Sequence, residues 1–135
     1  MPRGSDVISI VDDDLSVRRA LRRLVGSAGY QVETFASAQE FLGSAHQSAI
    51  GCLVLDVHMD GMSGFELQER LVSDHRVIPI IFITAHDDAR TRERIRRSGA
   101  AGYLGKPFDP QALLDAIRRV AGGVTRGKPG STKVQ

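Results

Sequence analysis

The run Ile50-Gly51-Cys52-Leu53-Val54-Leu55-Asp56-Val57-His58-Met59-Asp60-Gly61-Met62-Ser63-Gly64 decides the fold. Cys52 to Leu55 are apolar with no polar alternation. That pattern marks a strand buried on both faces, the habit of a central strand in a parallel sheet. The run stops at Asp56 and passes into a glycine-punctuated turn, so Asp56 stands at a strand's carboxyl end. In open α/β sheets ligands bind in the crevice beyond those ends, and a carboxylate there is presented to chemistry. A turn aspartate that caps the next segment is the plainer alternative. The other strand ends decide between the two.

Working outward, Val7 to Val11 is a short, largely β-branched run that ends in Asp12-Asp13-Asp14. From Ser16 the apolar residues Val17, Leu21, Leu24, Val25 and Ala28 fall at helical spacing, with Arg18, Arg19, Arg22 and Arg23 on the other face and Gly29 as a stop. Gln31 to Phe35 alternates as a half-exposed strand, and Ser37 to Gly43 reads as a brief helix carrying Phe41 and Leu42. Phe65 to Val72 supplies a third helix, and Val77 to Ile83 a fourth strand ending at Thr84. Asp88 to Ser98 reads as a helix with a thin apolar stripe, Ala89 and Ile95, against Arg90, Arg92, Arg94, Arg96 and Arg97. Little buried area implies a loosely held element. Gly102 to Gly105 is a last short strand, Lys106-Pro107 follows it, and Pro110 starts a final helix on Leu113, Leu114, Ile117, Val120 and Ala121.

Five strands alternating with five helices predict one doubly wound α/β domain with a parallel sheet, in the flavodoxin-like order 2-1-3-4-5. In that order Asp12 to Asp14, Asp56, Thr84 and Lys106 gather along one edge. Carboxylates crowded together repel by about 4 kcal/mol per pair at 4 Å and an effective dielectric near 20. The site therefore calls for a cation, and oxygen-only ligands favour Mg²⁺, with Mn²⁺ the alternative. Beside such a cation a phosphoryl group can approach Asp56, its oxygens shared with the Lys106 ammonium and the Thr84 hydroxyl. That is the equipment of phosphoryl transfer onto a carboxylate.

Composition bounds the rest. At 135 residues and 41% hydrophobic content the chain suits one core. A single cysteine, Cys52, lies inside the buried run and reads as a small core residue. No apolar leader and no run approaching the roughly 20 residues of a membrane span is present, so a soluble cytoplasmic protein is expected, with no membrane partner. The formal charge of +2 invites a nucleic-acid role, but Arg126, Lys128 and Lys133 near the end supply it. Residues 1–125 hold 15 bases against 16 acids, which argues against direct nucleic-acid binding.

Residues 6–121 resemble the receiver domain of bacterial two-component response regulators. Val11-Asp12-Asp13-Asp14 is similar to that family's acidic pair and its neighbour, and Asp56 with Met59-x-x-Met62-x-Gly64 to the phosphoacceptor and its loop. Ile83-Thr84-Ala85 is similar to the switch hydroxyl and the small residue after it, and Lys106-Pro107-Phe108 to the lysine segment. The resemblance implies a phosphorylation-activated switch. In it Asp12, Asp13, Asp56 and the backbone carbonyl of His58 hold Mg²⁺, and Asp56 takes a phosphoryl group from a sensor histidine kinase or phosphotransfer protein. It implies that Thr84, Ala85 and Lys106 serve the phosphate and that Thr84 and Tyr103 move together. It further implies a cis Lys106–Pro107 bond, and an effector, linked output domain or homodimer partner on the face of the fourth helix, fifth strand and fifth helix. The only phosphoryl transfer and hydrolysis it implies are self-directed.

Two departures stand out. Asp60 occupies the loop position where the family usually has proline, which frees a backbone N–H and adds a charge beside the metal. His58 and His86 lie two residues after Asp56 and Thr84, positions that in the family tune phosphoryl lifetime; an imidazole there either guides or excludes the attacking water. Neither has metal-site spacing with another histidine. Among rival readings, an aspartyl-nucleophile phosphatase lacks its helper acid, because His58 stands there. A flavin or dinucleotide binder lacks a hydroxyl- or glycine-rich loop after the first strand. A docking module that acts without phosphorylation remains the alternative. The arginines of the first and fourth helices read either as solvated faces or as partner surfaces. Residues 1–5 read as an extension and 122–135 as a disordered tail or linker. No output domain is expected within them, which leaves a stand-alone regulator or the receiver of a longer protein.

Overall fold

The computed structural model describes residues 7–44 and 50–121. Within them run β1 (Val7–Val11), α1 (Leu15–Ser27), β2 (Gln31–Phe35), α2 (Ala38–Ser44), β3 (Ile50–Asp56), α3 (Gly64–Ser73), β4 (Ile80–Thr84), α4 (Ala89–Ser98), β5 (Gly102–Gly105) and α5 (Pro110–Ala121). The strands pair in parallel in the order β2-β1-β3-β4-β5. The extension 1–5 and the tail 122–135 lie outside the described residues.

The unbroken apolar runs have a simple cause. Successive strand residues point to opposite faces, and here both faces are covered. From β3, Leu53 and Leu55 pack with Phe41, Phe65, Leu67, Leu71, Phe82 and Ile95, under α2, α3 and α4. Cys52 and Val54 of the same strand pack with Ile8, Ile10, Leu21, Val25, Ile81, Ile83, Leu113 and Ile117, under α1 and α5. Each such side chain contributes about 1.5–3 kcal/mol through burial. The sheet is thereby fixed as a platform, and what stands at its carboxyl edge inherits that rigidity. Cys52 is fully buried, and burial pushes its thiol up to about 12, which fits a core role.

Beside one-residue shifts at the ends of α2, α3 and α4, three departures from the sequence reading have a clear physical cause. The fourth strand begins at Ile80 and not at Val77, which is 97% exposed. Pro79 has no N–H for the ladder and restricts the residue before it, so pairing opens with the Pro79 carbonyl, which accepts from the Leu53 amide at 2.9 Å. The first helix begins at Leu15, because the Asp14 carboxylate caps it, accepting from the amides of Ser16 at 2.8 Å and Val17 at 3.3 Å. On α4, Ala89 is exposed and Ile95 is the buried residue, so the helix is held more thinly than the sequence stripe suggests. Among the described residues, no helix is long and apolar enough to cross a membrane.

Candidate functional site

β1, β3, β4 and β5 are neighbours in the sheet, and the residues at or just past their ends meet. Ligand oxygens of Asp12, Asp13 and Asp56 all lie within 4.8 Å of one another. Lys106 Nζ donates to Asp12 Oδ2 at 3.0 Å and stands 3.7 Å from Asp56 Oδ2. Thr84, the last residue of β4, is fully buried beside them, and its Oγ1 accepts from the His86 amide at 2.9 Å. The Lys106 amide donates to the Thr84 carbonyl at 2.7 Å, so the lysine's backbone extends the β4–β5 ladder by one step. The Lys106–Pro107 peptide is cis. Ala85, the next residue, is small and exposed at the edge.

The three consecutive acids take three different jobs. Asp12 is buried and accepts from both Lys106 and the Asp14 amide, the latter at 2.9 Å. Asp13 is exposed, and its Oδ2 accepts from the Asp60 amide at 3.3 Å. Asp14 is the helix cap already described. Asp60 thus acts through the backbone N–H that a proline at this position would lack. The turn beyond Asp56 also depends on Gly64: a Cβ there would stand 2.4 Å from the Asp56 carbonyl oxygen, closer than any side-chain atom tolerates. The Ser63–Glu66 capping box then starts α3.

Electrostatics follow from this crowding. Burial first, and then the Asp12 charge, push the Asp56 carboxyl up to about 7, against the opposing pull of Lys106 and the His58 amide. Burial works against the charge of Lys106, yet its hydrogen bond to Asp12 and the nearby carboxylates hold the ammonium above the ordinary lysine value. One lysine is not enough for this cluster of acids. The donor set is all oxygen and hard, and the lifted Asp56 is a carboxylate short of positive charge, so these residues fit a Mg²⁺ or Mn²⁺ ion.

Three groupings were not legible from spacing. The rings of His58 and His86, 28 residues apart, lie with centroids 4.6 Å apart at the exposed ends of β3 and β4. Tyr103 does not enter the acid cluster; its hydroxyl donates to Asp87 Oδ1 at 3.2 Å, and Arg92 holds the same aspartate. Arg18, read as part of a helix face, donates to the Asp12 backbone carbonyl at 2.7 Å and ties α1 to the site. Beside the cluster, a cavity of about 620 Å³ is lined by Val17, Leu21, Leu24, Lys106, Pro107 and Phe108.

Residues 8–118 match the family model of the response regulator receiver domain. The chain belongs to that family. Among receiver-containing relatives, Nodulation protein W of Bradyrhizobium diazoefficiens is 44% identical over 111 residues, covering 82% of this chain and 49% of that protein. Response regulator protein TodT of Pseudomonas putida is 46% identical over 118 residues, covering 87% and 52%. The solved structure of response regulator StyR aligns with TM-score 0.78 at 50% identity, over 86% of this chain and 59% of that one. The crystal structure of FixJ-N gives TM-score 0.78 at 31% identity, over 89% and 96%. The chain spans about half the length of the curated relatives it matches.

Proposed function

We propose that this receiver domain is switched by phosphorylation of Asp56, with a sensor histidine kinase or phosphotransfer protein as donor. The observation that carries the reading is the convergence of three carboxylates with one lysine at the carboxyl edge of the sheet. One Asp56 oxygen attacks the phosphorus of a phosphohistidine; the P–O bond forms, the P–N bond breaks, and the electron pair stays on the imidazole. Lys106 and the Thr84 hydroxyl take the phosphoryl oxygens, and the small Ala85 leaves them room. Asp12, Asp13, Asp56 and the His58 backbone carbonyl would hold Mg²⁺, which supplies charge neutralisation for both the carboxylates and the incoming group.

The apolar cavity between α1 and Pro107 suits a helix of the donor, since it adjoins Lys106. His58 and His86 lean on each other across the gap between the β3 and β4 ends, which supports exclusion of the attacking water over its guidance. Thr84 and Tyr103 relay the change to the surface of α4, β5 and α5, where an effector, a linked output domain or a second copy docks. The reactions are the chain's own phosphorylation and dephosphorylation, with no separate substrate. The unit takes residues 6–121, with 1–5 an extension and 122–135 a tail or linker, and works in the cytoplasm without contacting nucleic acid itself. Relatives named as transcriptional regulatory proteins, such as FixJ and TdiR, support an output domain in a longer protein.

Intact mass after incubation with Mg²⁺ and acetyl phosphate tests the reading. A labile gain of one phosphoryl group is expected in the wild type and none in Asp56→Asn. No gain in either, with acetyl phosphate or a phosphorylated donor, would leave a docking module that acts without phosphorylation.

A further inference from the structure

The β4–α4 loop carries a contact that the switch chemistry does not use. Asp87 lies three residues after Thr84 and reaches two elements at once. Its Oδ1 accepts from the Tyr103 hydroxyl of β5 at 3.2 Å and from Arg92 Nη1 of α4 at 3.2 Å, while Arg92 also donates to the Asp87 carbonyl at 2.9 Å. Its carboxylate lies against Gly105, where an added Cβ would stand 2.8 Å from Asp87 Oδ2. The glycine before Lys106 thus makes room for this side chain. At the start of the same short loop, the Thr84 hydroxyl accepts from the His86 amide at 2.9 Å. On the proposed relay, Thr84 turning toward a phosphoryl group on Asp56 opens that bond, and the loop that carries Asp87 shifts with it.

From this geometry we infer that Asp87 is a positioning residue, a latch that binds Tyr103 and Arg92 in the resting state and so sets how readily the domain switches. The inference rests on the Asp56 reading and adds to it a residue that regulates the relay. Phosphorylation must supply enough free energy to break the latch, and a domain without it sits closer to the switched state before any phosphoryl group arrives. The contact is solvent-exposed, with Asp87 and Arg92 side chains 45% and 47% accessible, so its strength is that of one surface ion pair and one hydrogen bond. Such a contact supports a change of about three- to tenfold in the switching equilibrium.

The chain has two tyrosines, Tyr30 in the core and Tyr103, so 3-fluorotyrosine labelling gives two ¹⁹F resonances that Tyr103→Phe assigns. The probe is beryllofluoride with Mg²⁺, a mimic of a phosphoryl group on a carboxylate, titrated into the wild type, Asp87→Ala and Asp87→Asn. In Asp87→Ala the Tyr103 resonance should already be displaced toward its saturated position without ligand, and the titration midpoint should fall about three- to tenfold. Asp87→Asn keeps an acceptor for Tyr103 but loses the charge that holds Arg92, and should fall between. An unchanged resonance and midpoint in Asp87→Ala, or a raised midpoint, overturns the latch. A wild type that never responds to beryllofluoride overturns the Asp56 reading and the latch with it, whereas a responding wild type beside an unchanged Asp87→Ala overturns the latch alone.

Discussion

The carboxyl edge of the sheet and the α4 side of the molecule are built to opposite standards. Asp12, Asp56 and Thr84 are buried at or beside the ends of strands whose side chains are buried on both faces, and Lys106 reaches them from the end of β5. α4 buries Ile95, and four of its five arginines are engaged at the surface: Arg96 and Arg97 with Glu93, Arg92 with Asp87, and Arg94 over the Phe65 ring at 4.1 Å. Exposed pairs of this kind contribute little to stability. The groups proposed for the chemistry sit on the rigid part, and the element proposed to report the result is the one that little free energy holds.

Glycine substitutions should expose that contrast most strongly. Gly64→Ala drives a Cβ into the Asp56 backbone, which has no freedom to give, and should cost about 3 kcal/mol or more in urea unfolding. Gly99→Ala, at the left-handed end of α4, meets no atom within 4 Å and should cost about 1 kcal/mol through backbone strain alone. Equal costs at the two glycines would erase the difference between the regions.

The buried charge at Asp56 gives the next effect. Its folded pKa of about 7 lies above its unfolded value of about 3.9, so the folded state keeps a proton that the unfolded state releases in between. The contribution of Asp56 to the stability of the metal-free wild type is therefore lost as pH rises from about 4 to 7, and the loss is complete above that window. Asp56→Asn has no such loss. After allowance for water at the cleft, the variant should be more stable than wild type by about 2 kcal/mol at pH 8 in chelator and no more stable below pH 4. Thermal unfolding across pH checks the sign, and a variant less stable at pH 8 would contradict it. Added Mg²⁺ should close the gap by binding the folded wild type.

The smallest effect belongs to the α4 surface. Arg96→Ala, which removes one of two arginines on Glu93, should leave the denaturant unfolding midpoint almost unchanged. A larger loss in denaturant unfolding would mean that α4 is held more firmly than its single buried isoleucine implies.

Most of the fold was legible because β3 and its neighbours state their burial in consecutive apolar residues, and the strand order then brings Asp12, Asp13, Asp56, Thr84 and Lys106 to one edge. What escaped is non-local or carried by backbone atoms. Pro79 delays β4 through a missing N–H. Asp60 reaches Asp13 through an amide that looks the same in every residue but proline. The packing of His58 on His86 and the bond from Tyr103 to Asp87 join residues 28 and 16 positions apart on different elements. No periodicity signals such pairs, and only Gly105, small where Asp87 leans, leaves a faint mark in the sequence.

Amide hydrogen exchange of the Mg²⁺-bound protein with and without beryllofluoride tests most directly whether a rigid site drives a loosely held relay. The expected result is unchanged slow exchange in β1 and β3, with altered protection in the loop 85–88, α4 and β5. Altered protection spread evenly over all five strands, or confined to α1 and β2, would contradict it.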